Sequence, residues 1–343
     1  CGVWIMAFTN IDNPELYFQV KLYAGNAGAG TSNTQAITLD GSEDMSPDMV
    51  YIKARDGVNN GEIFDTVRGV YKYVSTNSDG QENTAFTDNL TAFNSDGFTL
   101  GVNTGDDIND TGKNYVAWCW KESATAGFDI VIYTGNGTAG NTVSHSLGVK
   151  PNLIFTKKRS ASASWGVYES KSGADYYMNL DDTIGASDNA TIWNDTEPTT
   201  SVFSLGTHAY TNTNTATYVA YLWRSVQGFS KFGSYKGNGN ANGTFVYTGF
   251  QPAYVICKNT SGTGQWGIKT AKSQAYNGAD VTLFANSTSA ESAFSDNKVD
   301  ILSNGFKIRT ASSDFNTSGS NYIYMAFAEQ PLVNSNGVPC NAR

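Results

Sequence analysis

The chain repeats itself with a period close to one hundred residues. Tyr133-Thr134-Gly135-Asn136-Gly137 returns as Tyr235-Lys236-Gly237-Asn238-Gly239, with a worn copy at Tyr23-Ala24-Gly25-Asn26. Downstream of each, a proline opens an apolar stretch that ends on lysine, at 47–53, 151–157 and 252–258. Each copy closes on an aromatic run: Tyr115-Val116-Ala117-Trp118-Cys119-Trp120, Tyr218-Val219-Ala220-Tyr221-Leu222-Trp223 and Tyr322-Ile323-Tyr324-Met325-Ala326-Phe327. The prolines Pro47, Pro151 and Pro252 stand 104 and 101 residues apart, and the closing tyrosines 103 and 104. That period is too long for a solenoid repeat and matches a whole small domain. Tandem copies of one domain extend reach or multiply weak binding more often than they build an active site, which points away from an enzyme.

The residue mix selects the fold class. Thirteen leucines stand against 19 tyrosines and 18 phenylalanines, with 35 glycines between short apolar stretches. Aromatic and β-branched residues suit half-buried pleated surfaces, whereas helices favour Leu, Ala, Glu and Lys. The expectation is an all-β chain of three tandem antiparallel β-sandwich, jelly-roll-like domains at 17–122, 127–224 and 228–330. An N-terminal arm, 1–16, precedes them and a polar C-terminal strap, 331–343, follows. Within the arm, Asn13 before Pro14 and Glu15 reads as a capped helical turn. In the closing run, Tyr115, Ala117 and Cys119 fall on one strand face and Val116, Trp118 and Trp120 on the other. Both faces are apolar, so that strand is central. Joints of three to five residues, 122–126 and 225–227, predict domains packed in a row.

Net charge is −9, the pI is near 4.7 and only 15% of residues are charged. A phosphate backbone is repelled by such a chain, so nucleic acid is excluded as the expected partner. Amides and hydroxyls must cover much of the surface, which suits extracellular or virion proteins and hydroxyl-rich ligands such as glycans. No apolar run reaches the 18 or so residues of a membrane helix. Met6 resembles a translation start, which leaves the five residues before it unexplained, and a lipidated Cys1 is the alternative reading of the N-terminus. Cys1, Cys119, Cys257 and Cys340 lack metal spacing, and Cys119 and Cys257 read as buried thiols on strands.

Candidate chemistry is thin. Gly135-Asn136-Gly137-Thr138-Ala139-Gly140 fits the dinucleotide fingerprint, but a β-type run follows where a helix must receive the pyrophosphate. A Gly/Asn hairpin loop accounts for all three copies. His145 and His208 occur in the second repeat alone, without a serine elbow, and read as local residues rather than bases. Asp106, Asp107 and Asp110 gather oxygen ligands in one loop; calcium ligation is the alternative to an acidic turn, and Trp118 stands where an EF-hand needs glutamate. No carboxylate pair recurs in a context that marks glycoside hydrolysis. Most aromatics lie at strand positions as core, leaving a few as sugar-stacking platforms that the sequence does not single out. No catalytic, metal or cofactor residue is therefore assigned.

The repeat motifs, together with Asp65-Thr66-Val67-Arg68-Gly69-Val70, Asp96-Gly97-Phe98-Thr99-Leu100 and the closing Ala328-Glu329-Gln330-Pro331-Leu332-Val333, resemble a domain family of marine bacteriophages, cyanophages included. Its members are tail-fibre-like or virion structural proteins of uncertain function. The likeness runs over nearly the whole chain from Met6, through scaffold motifs that assign no binding residues. Repeat three departs from the pattern at Phe327 and Ala328. The resemblance implies a virion setting and a fibre-like protein that adheres to host-surface glycan. The alternative is a capsid or tail decoration protein without host contact. Expected partners are other virion proteins, copies of the chain itself as a homotrimer, and host glycan, with no nucleic acid and no membrane insertion.

Overall fold

The computed structural model describes residues 9–27, 34–102, 108–273, 277, 280–293 and 297–331. The fold is all-β, built of several sheets whose named strands all pair antiparallel. Each repeat forms one large sheet. The first runs in the order Phe18–Ala24, Asn114–Trp120, Met49–Ala54, Gly61–Asp65, Tyr73–Ser75. The second runs Phe128–Thr134, Thr217–Trp223, Leu153–Lys158, Gly166–Glu169, and the third begins with Ser230–Lys236, Asn321–Phe327, Tyr254–Asn259, Gly267–Thr270 and Val281–Phe284. The first four strands thus come in the same order three times. A smaller sheet faces each large one; the third repeat's pairs Phe245–Tyr247 with Gly305–Ile308. Helix among the described residues is confined to single turns such as Pro14–Leu16, where the Asn13 side chain accepts the Glu15 N–H.

The closing strand is central in every large sheet, and its two faces go to different places. Tyr115, Ala117 and Cys119 enter an apolar cluster belonging to the first repeat. Val116, Trp118 and Trp120 enter a second cluster shared with Val219, Tyr221 and Trp223 of repeat two and Ile323, Met325 and Phe327 of repeat three. In repeat three, Tyr322, Tyr324 and Ala326 keep to a local cluster. A strand buried on both sides therefore reports two cores, one local and one common.

Here the structure corrects the expected row of domains. Repeat one touches repeat three as closely as it touches repeat two: Phe18 stacks on Phe327 at 5.2 Å and Trp120 meets Tyr254 edge-on at 5.7 Å. The physical reason is the second apolar face. In a row, the end sheets would leave theirs in water, whereas closing the three sheets on one another covers all of them. A cavity of about 20 Å³, lined by residues of all three repeats such as Tyr51, Phe155 and Tyr254, lies at their meeting point. The described part of the arm is also built in: Ile11 lies in the common cluster and Glu15 is buried. The Glu15 carboxylate accepts from Gln330 Nε2, and Glu329 accepts the Val20 N–H, so the third repeat's end is fastened to the first repeat's beginning.

The lysine that ends each proline-led strand closes the ring. Lys53 Nζ donates to Asn59 O in its own repeat and to Ser287 O of repeat three. Lys157 donates to Ala163 O and to Ser78 O of repeat one, and Lys258 to Gly264 O and to Thr183 O of repeat two. The own-repeat acceptor lies six residues on each time. Trp165 and Trp266 add indole bonds in the same directions, to Ser75 O and Asn179 O. Gly61 holds that place in repeat one, and a side chain there would lie 2.6 Å from Thr76 Oγ1 and Tyr51 Oη. Instead Thr76 Oγ1 donates to Ala285 O across the third junction.

Two outcomes follow from this packing. Trp120→Ala and Trp223→Ala each remove a ring buried in the common core and should cost about 3–5 kcal/mol in denaturant unfolding; unchanged midpoints would show that the face is not core. The second concerns pH. Burial pushes the Lys53, Lys157 and Lys258 ammonium groups down to about 8. Between about pH 8 and 10.5 the unfolded chain then binds more protons than the folded one, so the lysines' contribution to stability rises with pH. A neutral amine still offers two N–H groups to its two carbonyls. The stability of the wild type relative to Lys157→Met should therefore increase from pH 8 to pH 10, measured by urea unfolding at both.

Candidate functional site

The repeated loops are scaffold. Asn109, Asn212 and Asn316 are wholly buried, and their side-chain oxygens accept the backbone N–H of Asn26, Asn136 and Asn238. Their amides donate back to carbonyls, for Asn212 those of Thr138 and Gly206. Gly135 is required because a Cβ there would sit 2.4 Å from Thr213 O. The expected hairpin is corrected here: Phe128–Thr134 pairs with Thr217–Trp223 and Asn141–Ser144 with Val202–Leu205, so the loop carries the chain from the large sheet to the small one, and Asn212 pins it in place of ladder bonds.

The other sequence candidates scatter. His145 Nδ1 accepts the Leu147 N–H and His208 Nδ1 accepts the Tyr210 N–H, each serving its own turn. Asp106 and Asp107 lie outside the described residues, while the Asp110 carboxylate pairs with Lys113 at 2.8 Å. Among the described residues no group of three or more His, Cys, Asp or Glu is placed to hold a metal ion. Cys119 and Cys257 are buried free thiols. Arg68 is consumed inside the junction of repeats one and two, pairing with Asp65 and donating to Ile63 O and Tyr221 Oη. Burial and neighbouring Asp129 push Glu122 up to about 7, yet Glu122 accepts the Ile130 N–H and Asp129 the Ser146 N–H. That carboxyl pair lines neither of the grooves described next.

What sequence reasoning missed is where the third copy departs from the other two. Val246, Val143 and Ile37 occupy one position, each paired with the phenylalanine of the returning strand: Phe306, Phe203 and Phe98. The residues flanking them point outward. They are Thr142 and Ser144 in repeat two, Ala36 and Thr38 in repeat one, and Phe245 and Tyr247 in repeat three. Phe245 and Tyr247 are 44% and 58% exposed, a ledge of two rings on one strand face. Lys231 Nζ lies 5.0 Å from the centre of the Tyr247 ring and donates to Tyr247 O.

The ledge borders an open groove. Gly233 replaces the position held by Val131 and Lys21 in the other repeats, opposite Tyr324. A Cβ at Gly233 would be 2.8 Å from Tyr324 Oη, so the ring crosses the strand where a side chain is missing. One part of the groove, about 580 Å³, runs along Lys231 to Lys236 and the ledge. A second part, about 560 Å³, continues over Tyr176, Ala186, Thr260 and Asn321. Both include Lys171 and Ser234, so the groove spans the junction of repeats two and three, where Ala186 N donates to Thr260 O. Its walls are hydroxyls, amides, lysines and aromatic rings. Such a surface can bind and orient a hydroxyl-rich ligand.

Because Phe245 and Tyr247 stand in water, Phe245→Ala and Tyr247→Ala should leave stability within about 0.5 kcal/mol of wild type. Denaturant unfolding of both variants checks this, and a loss above about 2 kcal/mol would place the rings in the core.

Among the described residues no helix is long and apolar enough to cross a membrane. No curated protein matches the chain. A family model described as a domain of unknown function (DUF7483) matches residues 13–331, spanning all three repeats and both fastened ends of the ring, and the chain belongs to that family.

Proposed function

We propose that the chain is a virion structural protein of the fibre-like kind, which attaches the particle to host-surface glycan without catalysis. The observation that carries this reading is the exposed Phe245 and Tyr247 pair, standing where the other repeats have Thr, Ser or Ala. A pyranose ring presents an axial face of C–H groups that packs on aromatic faces, while its hydroxyls need neutral donors and acceptors such as Ser234, Thr260 and Asn321 at hand. In this reading the three repeats are jelly-roll-like sandwiches that serve as a rigid mount. The core shared by the three repeats gives that mount its rigidity. Association with other virion proteins and with copies of the chain therefore serves attachment and multiplies weak sites.

The second reading, a decoration protein that lies on the particle without host contact, draws on the closed ring itself, which has little reach. Binding of purified protein to host envelope polysaccharide, followed by calorimetry, separates the two. The glycan reading expects saturable binding that falls at least tenfold in Phe245→Ala/Tyr247→Ala with unfolding unchanged. Binding to particles and none to polysaccharide would establish decoration instead.

A further inference from the structure

The groove's charge is opposite to that of the protein. The chain carries 31 acidic against 22 basic side chains. Yet Lys171, Lys231 and Lys236 line the groove, and among the described residues no Asp or Glu lines either part of it. None of the three forms an ion pair among the described residues; the pairs present elsewhere take Lys21, Lys113, Lys150 and Lys272. Lys231 spends one N–H on Tyr247 O, leaving two free to donate beside the exposed ring. Lys171 is exposed and held in place by its backbone, whose N–H donates to Glu169. The Glu169 side chain is itself buried, and burial pushes it up to about 7, so it adds little negative charge to the groove at mildly acidic pH.

We infer that the groove across repeats two and three takes an acidic saccharide chain, one bearing uronate carboxylates or sulfate esters, with sugar rings on Phe245 and Tyr247 and its anionic groups on Lys171, Lys231 and Lys236. This rests on the glycan reading above and adds the ligand's charge. Three unpaired ammonium groups gathered on an otherwise acidic surface are a local exception to the repulsion that the rest of the molecule exerts on an anion. Aromatic faces supply contact that salt does not screen, and the lysines supply contact that it does. A neutral chain uses only the first; an acidic one uses both.

The test uses full-length protein with polygalacturonate and with neutral galactan, compared by calorimetry at 50 and 500 mM NaCl. Polygalacturonate should bind at least tenfold tighter at low salt, with the gap closing at high salt. Lys171→Met/Lys231→Met/Lys236→Met should abolish the gap while retaining galactan binding, and Lys72→Met/Lys150→Met should preserve it. Phe245→Ala/Tyr247→Ala should weaken both ligands. Equal binding of the two polymers by the wild type, or a gap that survives the triple change, overturns the acidic preference and leaves the glycan reading standing. Failure to bind either polymer, or any polysaccharide of the host envelope, overturns both. Dextran sulfate then distinguishes sulfate from carboxylate as the preferred group.

Discussion

Everything in this molecule depends on a strand with two apolar faces. A sheet that buries one face makes a sandwich and stops. The closing strands here carry Trp118, Tyr221 and Met325 on the face turned away from their own repeat. That surplus has to be covered by something equally apolar, and the other two repeats supply it. The arrangement is self-limiting: three sheets enclose the space, and a cavity smaller than one side chain lies where they meet. Polar bonds then specify the angle at which the sheets meet. Directional carbonyl acceptors for Lys53, Lys157 and Lys258 tolerate only one relative placement, whereas apolar contact alone would tolerate several.

The three junctions are related but not copies. Trp118, Tyr221 and Met325 occupy one position, and they face Thr270, Asp65 and Glu169 of the neighbouring repeat. Trp118 Nε1 donates to Thr270 Oγ1 and Tyr221 Oη to Asp65 Oδ2. Met325 has no proton to give, and it lines a small apolar space together with Glu169. Burial pushes Glu169 up to about 7 there, against the N–H groups of Lys171 and Ser172 that its carboxylate accepts. Divergence at equivalent places thus shows up as a different polar partnership at each junction and an exposed ledge in one surface, while the frame stays common.

Much of the frame was legible. The proline-led strands at Leu153 and Val255, the two-faced closing runs and the buried thiols at Cys119 and Cys257 lie where alternation of apolar residues puts them. Ring closure was not legible, because the pattern records that a face is apolar and not which partner covers it. The lysines were visible as the end of each strand motif, but a lysine after an apolar run ordinarily snorkels to water; only the fold reveals two carbonyls waiting for each. Phe245 and Tyr247 were hidden differently. In a chain this rich in strand aromatics, exposure cannot be told from burial until the register assigns Val246 inward. The usable signal was a comparison of the copies, in which aromatic residues replace Thr142 and Ser144.

The fastening of Glu15 to Gln330, and of Val20 to Glu329, has a topological consequence. Around the ring each repeat reaches back to the one before it, and repeat one reaches back to repeat three by the same kind of bond. The circle has no privileged starting point. Cutting the short joint at 225–227 and linking the neighbourhoods of residues 15 and 330 would leave each lysine, indole and closing strand with its present partner. The linear order of the repeats is then an accident of how the circle is opened, and circular permutants are variants of one architecture rather than new folds.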